Sequence, residues 1–288
     1  MARILLLGHT GKMGTALDRE LAAGHEVMGR ASGDFDAADF AAVTRLIAET
    51  KPEAVVNTIA QVRLDDCERA PSEAFRINTL FPQHLARLGA SRGFRLIHFS
   101  TDSVFSGAKG DFLTEDDLPD PVSTYGFTKY MSEVVVREAL EAHYIFRLPV
   151  LFGGGGRRTQ FLERMLDRVR AGERRLKVVT DMIGTPAYAK DVAATVSRVL
   201  DERRPYGLYH LANTGQASLY ELTVEALRML GLEADVEKAT LADFPAPARR
   251  STTTPLRMTK LPPLRPWREA LAEYCATEEA PGALSRRS

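Results

Sequence analysis

A short apolar run, Ile4–Leu7, passes without a break into Gly8-His9-Thr10-Gly11-Lys12-Met13-Gly14. The run is too short for a helix and reads as a buried strand. Glycines at spacing three and three let the backbone turn sharply, and the stretch that follows, Thr15–Ala23, has helical periodicity. Strand, glycine turn and helix in this order leave the first helical N–H groups facing the turn, where a pyrophosphate is held at a helix N-terminus. The pattern is weak alone and gains its meaning from that context. It assigns Gly8, Thr10, Gly11, Lys12, Met13 and Gly14 to a dinucleotide site.

The rest of the chain repeats the alternation. His25–Met28, Ala54–Asn57, Leu96–Phe99 and Tyr144–Leu148 read as strands, while Phe40–Thr50, Ser72–Arg92, Lys129–Ala142 and Ala189–Leu200 read as helices. Strands alternating with helices imply a parallel sheet, right-handed crossovers and ligands at the carboxyl ends of the strands. After Gly153-Gly154-Gly155-Gly156 the pattern changes: a helix from about Thr159 to Ala171, a strand Leu176–Val179 and a helix near Ser218–Leu230 read as a smaller lobe. Pro245–Pro266 reads as a long loop, Trp267–Tyr274 as a last helix and Thr277–Ser288 as a frayed end. The expected architecture is α/β: a doubly wound parallel-sheet Rossmann domain (1–152 plus about 184–214) with a smaller discontinuous C-terminal substrate lobe (about 153–183 plus 215–288).

The 38 Lys and Arg balance 38 Asp and Glu, so no global field favours nucleic acid or an anionic membrane as partner. An anionic ligand must be held by a local site. The cysteines, Cys67 and Cys275, show no CxxC spacing and read as free thiols. The first apolar run is too short for a signal peptide, and no later run approaches the roughly twenty residues of a membrane span. A soluble, cytoplasmic protein is expected, monomeric or homodimeric.

Chemistry gathers at three further places. The second strand leads into Gly29-Arg30, where an acidic residue would bind the adenosine ribose hydroxyl. A guanidinium suits a 2′-phosphate instead, which favours NADPH over NADH as cofactor, with Lys12 in support. Gly33-Asp34-Phe35 stands where the end of a third strand would flank the adenine. Tyr125-Gly126-Phe127-Thr128-Lys129 puts a phenol and an amine on one helical face. A tyrosine with a pKa of about 10 is a poor proton-transfer group near neutrality, and lowering it by two to three units takes roughly 3–4 kcal/mol. A nearby ammonium and a nicotinamide's positive charge supply that together. Ser100-Thr101-Asp102, straight after a strand, offers a hydroxyl to a carbonyl undergoing reduction.

In these features the chain resembles the extended short-chain dehydrogenase/reductases, and within them the dTDP-4-dehydrorhamnose reductases. The resemblance runs through GHTGKMG (Gly8–Gly14), VVNTIA (Val55–Ala60), STDSVFSG (Ser100–Gly107) and YGFTKYMSE (Tyr125–Glu133). It continues through FRLPVLFG (Phe146–Gly153), DMIGTPAYAKDVA (Asp181–Ala193), GLYHLANTG (Gly207–Gly215) and PARR (Pro247–Arg250). It implies that Tyr125 is the proton donor, Lys129 its partner and ribose ligand, and Thr101 the carbonyl-side hydroxyl. It further implies that the glycine turn, Arg30, Asp34, Phe35, Ile59, Ala60 and Gln61 line the cofactor. The substrate is then a nucleotide-linked 4-keto-6-deoxysugar reduced at C4, as in dTDP-rhamnose or other polysaccharide synthesis. Thr101, Asp102, Val150, Asp181, Thr185 and Arg250 fall on its side.

Three departures from the family touch the substrate side. Ser103 replaces an aromatic residue, Val150 replaces a tryptophan, and Val62-Arg63-Leu64 stands for Thr-Ala-Val. FRLPVLFG is also similar to the non-catalytic regulatory subunit of methionine adenosyltransferase, but that reading leaves Thr101, Tyr125 and Lys129 without a use. An epimerase or 4,6-dehydratase with tightly held NAD is the other alternative; dehydratases commonly follow the active-site Thr with Asp-Glu, and Ser103 leaves the second acid missing. His210 reads as a packed core histidine and Glu115-Asp116-Asp117 as a solvated loop, with no metal site. Asp102 either meets the sugar or braces the strand end, and Arg249-Arg250 either meets a diphosphate or is an ordinary exposed pair on the small-lobe loop.

Overall fold

The computed structural model describes residues 1–155 and 160–279. The helix start at Thr159 and the tail 280–288 lie outside them. In chain order the N-terminal half holds β1 (Arg3–Leu7), α1 (Lys12–Leu21), β2 (Glu26–Arg30), α2 (Phe40–Thr50), β3 (Ala54–Asn57), α3 (Leu64–Arg69) and α4 (Pro71–Phe75). α5 (Phe81–Arg92), β4 (Arg95–Thr101), α6 (Thr124–Ala139), β5 (His143–Leu148), β6 (Leu151–Phe152), α7 (Phe161–Arg170) and β7 (Arg175–Val179) follow. The remainder is β8 (Ile183–Gly184), β9 (Ala187–Tyr188), α8 (Ala189–Asp201), β10 (Gly207–His210), β11 (Ala217–Ser218), α9 (Leu219–Met229), β12 (Asp235–Ala239), β13 (Thr253–Thr254) and α10 (Trp267–Glu279).

β10, β5, β4, β3, β1 and β2 form, in that order, a parallel sheet. The chain moves from β1 to β2 on one side and returns to β3 on the other. The carboxyl ends of β1 and β3 therefore flank a topological switch point, the place where open α/β sheets bind ligands.

Period-two alternation assigns the two faces. Leu5, Leu7, Val55, Leu96 and Ile145 pack with Val43, Ile47, Phe81, Leu85 and Val136 of α2, α5 and α6. Ile4, Leu6, Val56, Ile97 and Phe146 meet Leu17, Leu21, Val192 and Val196 of α1 and α8 on the other face. Each of these side chains contributes about 1.5–3 kcal/mol by leaving water. A separate apolar cluster joins α7, α9 and α10 around Leu162, Leu166, Leu222, Ala226, Trp267 and Leu271, and includes Phe152 and Tyr188 of β6 and β9.

Several details differ from the sequence expectation, the first being that the last helix runs on through Thr277 to Glu279, where the sequence predicts a frayed end. The stretch 72–92 is not one helix: a π-helical segment, Arg76–Leu80, separates α4 from α5. Pro82 has no N–H to offer the Asn78 carbonyl, which favours the wider turn there. No strand covers Asp34 and Phe35; Asp34 instead closes a turn by accepting the Ala31 N–H (2.6 Å). The loop 245–266 contains β13, which pairs in parallel with β8. Glu115 is not solvated: it is 8% exposed, and its carboxylate accepts from the Thr259 hydroxyl (2.6 Å) and from the His210 N–H (3.1 Å). Burial pushes that carboxyl up, but the Thr259 and His210 bonds outweigh it and hold it below its usual value. His210 is fully buried, as expected.

Candidate active site

The glycine turn fits a pyrophosphate. Gly8 has φ +84°, and a Cβ there would lie 2.6 Å from Thr58 Oγ1. A Cβ on Gly14 would lie 2.1 Å from the Gly8 carbonyl oxygen, so the loop closes onto the start of α1 only without side chains. Gly11 caps α1 with no side-chain hydrogen bond, and the first turn carries no acid. Its leading N–H groups suit an anion. Thr10 is exposed at the loop tip, whereas the Met13 side chain is buried in the core and leaves its backbone to the site.

Lys12 departs from the role expected of it. Its ammonium is buried against Glu163 of α7 (2.5 Å) and the Gly153 carbonyl (2.9 Å). That pairing ties α1 to the second apolar cluster and removes Lys12 as support for a 2′-phosphate. Arg30 remains. Its carbonyl accepts the Gly8 N–H (2.8 Å), which sets the end of β2 beside the turn, and no carboxylate pairs with its guanidinium among the described residues. Asp34 is exposed and Phe35 packs against the core beside Ile59 and Met28.

After β3, Ile59, Ala60 and Gln61 continue the chain on the far side of the switch point from the glycine turn. The π-helical segment delivers Asn78 to it: Asn78 Oδ1 accepts the Gln61 N–H (2.9 Å), and Nδ2 donates to the Gln61 carbonyl (3.1 Å) and to Thr128 Oγ1 (3.1 Å). One buried amide thus joins the segment after β3 to α6. Gln61 Oε1 and His9 Nδ1 are buried and have no hydrogen-bond partner. These orphaned atoms, the uncapped helix and the side-chain-free turn fit a dinucleotide.

Ser123 caps α6 by accepting the Gly126 N–H (3.1 Å), so the helix starts five residues earlier than its apolar periodicity suggests. Tyr125 and Lys129 therefore fall in its first two turns. Burial pushes the Tyr125 hydroxyl up from its usual value; the Thr101 hydroxyl beside it opposes this, and the charges of Asp102 and Cys67 add to it. The expected lowering by Lys129 is absent from the protein alone, and the phenol stays protonated. Lys129 is pushed down to about 7 by burial, against the charge of Glu133.

A network that the sequence did not announce surrounds Lys129. The Ile59 N–H donates to Asn57 Oδ1 (3.0 Å), which turns Asn57 Nδ2 toward His98 Nδ1 (3.3 Å). His98 therefore carries its proton on Nε2, which faces Ser132 Oγ (2.9 Å), and Ser132 in turn donates to the Lys129 carbonyl (2.6 Å). Lys129 Nζ lies 3.3 Å from the same Nε2, donor against donor. Burial, then the Lys129 charge, holds His98 well below its usual value and keeps it neutral. A buried lysine titrating near 7 has a measurable consequence. Between about 7 and 10 the unfolded chain binds the proton that the folded chain has lost, so stability rises with pH in that window. Melting temperatures of the cofactor-free protein are expected to climb from about pH 7 to pH 9, and Lys129→Met to flatten that slope. An equal slope in the variant would show that other groups set it.

Thr101 ends β4 and is buried; its hydroxyl donates to Asp102 Oδ1 and accepts the Ser103 N–H (both 3.1 Å). Asp102 Oδ2 accepts from Thr254 Oγ1 of β13 (3.0 Å). Burial raises the Asp102 carboxyl to about 6, against the bonds from Thr254, Thr101 and Ser103. The remaining substrate-side candidates spread out. Val150 is half-buried against the second cluster. Asp181 caps the Leu241 N–H (3.0 Å), and Thr185 is fully buried and donates to the Leu256 carbonyl (3.2 Å). Arg250 reaches Asp65 at the start of α3 (2.9 Å), while Arg249 is exposed. Thr101, Asp102 and Tyr125 meet, with Lys129 one turn along α6 beside His98; Asp181 and Thr185 are committed to backbone partners.

The parallel sheet, the glycine crevice and the Thr101–Tyr125–Lys129 group define a nicotinamide-dependent oxidoreductase of the extended short-chain dehydrogenase/reductase type. Comparison with known proteins agrees. The chain belongs to the RmlD substrate binding domain family, whose model matches residues 2–279. It is 36% identical to a dTDP-4-dehydrorhamnose reductase of Streptomyces griseus, over 94% of this chain and 92% of that one. It is 33% identical to the spore coat polysaccharide biosynthesis protein SpsK of Bacillus subtilis, over 95% and 97% of the two chains. A crystal structure of a dTDP-4-dehydrorhamnose reductase from Clostridium acetobutylicum superposes with TM-score 0.90 at 33% identity, covering 96% of this chain and 99% of that one. Among the described residues no helix is long and apolar enough to cross a membrane, and no group of acids, histidines and cysteines is placed to hold a metal.

Proposed function

We propose that the protein reduces the 4-keto group of a nucleotide-linked 6-deoxysugar, as the dTDP-4-dehydrorhamnose reductases among its relatives are named for doing. The observation that carries this reading is the placement of Tyr125, in the first turn of α6, beside the Thr101 hydroxyl at the end of β4, with Lys129 one turn along the same helix. NADPH, when bound, supplies the hydride for C4. Gly8, Gly11 and Gly14 with the first amides of α1 hold its pyrophosphate, Arg30 its 2′-phosphate, and Ile59–Gln61 the wall beside it.

Tyr125, kept protonated by burial, gives its proton to the carbonyl oxygen. Thr101 orients that oxygen. Lys129 meets the nicotinamide ribose, whose hydroxyls offer the acceptors that His98 does not. Loss of NADPH absorbance with a panel of nucleotide-linked 4-keto-6-deoxysugars tests the reading. Turnover is expected with at least one; NAD that co-purifies and is never consumed would instead indicate an epimerase or dehydratase. Arg30→Asp is expected to move the preference toward NADH by about tenfold or more, the loss of one charge-assisted contact of about 1.5–3 kcal/mol. An unchanged NADPH-to-NADH ratio of kcat/KM would remove Arg30 from the 2′-phosphate.

A further inference from the structure

The fold withholds its acceptors from Lys129. The amine belongs to a buried side chain, 2% exposed. The acid one turn along α6, Glu133, is already taken: its carboxylate receives both nitrogens of the Arg147 fork (2.9 and 2.7 Å) and the Ser100 hydroxyl (2.5 Å). His98 faces the amine from β4, fully buried, with Nε2 3.3 Å from Lys129 Nζ. Among the described residues Nζ has no other hydrogen-bond partner. Which nitrogen of the ring carries the hydrogen is settled from its far side. Asn57 lies beside His98 in the register of β3 and β4, and its Oδ1 is occupied by the Ile59 N–H (3.0 Å). Only the Nδ2 hydrogens of Asn57 are left to face His98 Nδ1 (3.3 Å), so Nδ1 accepts. Nε2 then holds the hydrogen and gives it to Ser132 Oγ (2.9 Å). Ser132 donates its own hydrogen to the Lys129 carbonyl (2.6 Å) and is free to receive this one.

We propose that His98 is a positioning residue for the cofactor: it turns an N–H to Lys129, so that the hydrogens of that amine are left for the nicotinamide ribose. The inference rests on the reading of Lys129 as the ribose ligand. A lone pair at Nε2 would hold the ammonium in a charge-assisted bond inside the protein. An N–H offers it nothing. With three hydrogens the amine turns all of them away from the ring. With two, its lone pair accepts from Nε2 and both hydrogens still point elsewhere. In either state a bound ribose brings the acceptors that the buried amine lacks, and a buried donor is costly until it finds one. Burial, then the Lys129 charge, holds His98 well below its usual value, which keeps Nδ1 able to accept from Asn57.

Two measurements decide it. The first is nitrogen NMR of the cofactor-free protein carrying isotope-labelled histidine, at about pH 8, where an ordinary histidine is neutral. The His98 signals, identified as those missing from His98→Gln, are expected to show hydrogen on Nε2 and a bare Nδ1. The second is NADPH affinity by fluorescence titration. His98→Gln sets a carbonyl oxygen within reach of Lys129, so its Kd for NADPH is expected to rise about tenfold. His98→Leu leaves Asn57 and Ser132 unpartnered and should lower the Tm. It offers Lys129 no acceptor, however, and its Kd is expected to stay within about threefold of wild type. A ring that only braces the sheet predicts the reverse order, with His98→Leu the poorer binder. A bare Nε2 in the wild type, or a His98→Gln protein that binds NADPH as tightly as wild type, would overturn the inference. If His98→Leu does not fold, the spectrum and His98→Gln still decide. A protein that binds NADPH and reduces no ketosugar would sink the functional reading and leave this one to the spectra and the affinities.

Discussion

Tyr125→Phe is expected to lower kcat by about a thousandfold while leaving NADPH affinity within a factor of two or three. The substitution removes one oxygen. The ring itself packs with Cys67, Ala74 and Leu64, contacts that phenylalanine keeps. α6 is capped independently by Ser123, so Lys129 stays in place. The lost oxygen is the one beside Thr101, and without it the carbonyl oxygen gains negative charge with no acid in reach. Single-turnover kinetics at saturating cofactor, together with fluorescence titration of NADPH, separate the two quantities. Turnover within tenfold of wild type would move the donor role elsewhere, with Thr101 next in line. A large loss of NADPH affinity would show that the hydroxyl serves the cofactor and not the substrate.

The glycine turn and the YxxxK spacing were legible because each is local: a few consecutive residues specify the backbone and the chemistry together. The layers of the sheet were legible for the same reason, since Ile4–Leu7 and Leu96–Phe99 carry their burial in their own composition. Contacts made at long range were hidden. Lys12 sits inside the glycine turn, yet its amine meets Glu163, 151 residues away. Glu115 reads as surface until Thr259 and His210 arrive to satisfy it. Asn78 required a π-helical turn that no periodicity announces, although Pro82 marks the carbonyl left free there.

His98 is the instructive case. It alternates with Leu96 and Ser100 on one face of β4, and Lys129, Ser132 and Glu133 fall on one face of α6 at helical spacing. A polar stripe on a strand opposite a polar stripe on a helix is readable, but only once the two are known to face each other.

Those two stripes also set the largest expected stability effect, at Glu133→Leu. The Glu133 carboxylate takes both nitrogens of the Arg147 fork (2.9 and 2.7 Å) and a third bond from Ser100 Oγ (2.5 Å). Both charged side chains are nearly sealed from water, at 1% and 4% exposure. Desolvating each ion costs several kcal/mol, and the pair is tolerated because the fork geometry returns that cost. Removing the acid alone leaves a guanidinium that cannot lose its proton, held between the Phe105 ring (4.9 Å) and His210 (3.5 Å). A loss of about 3–5 kcal/mol in urea unfolding is expected for Glu133→Leu. Glu133→Leu combined with Arg147→Met removes both charges from a site of similar volume, and most of the stability should return. The comparison separates two roles for the pair. If the double variant recovers stability but not kcat, the ion pair serves to fix Ser100 and, through the strand end, Thr101. If it recovers both, the pair is structural. If Glu133→Leu alone costs less than about 1 kcal/mol, water reaches Arg147 and the sheet is open at this end.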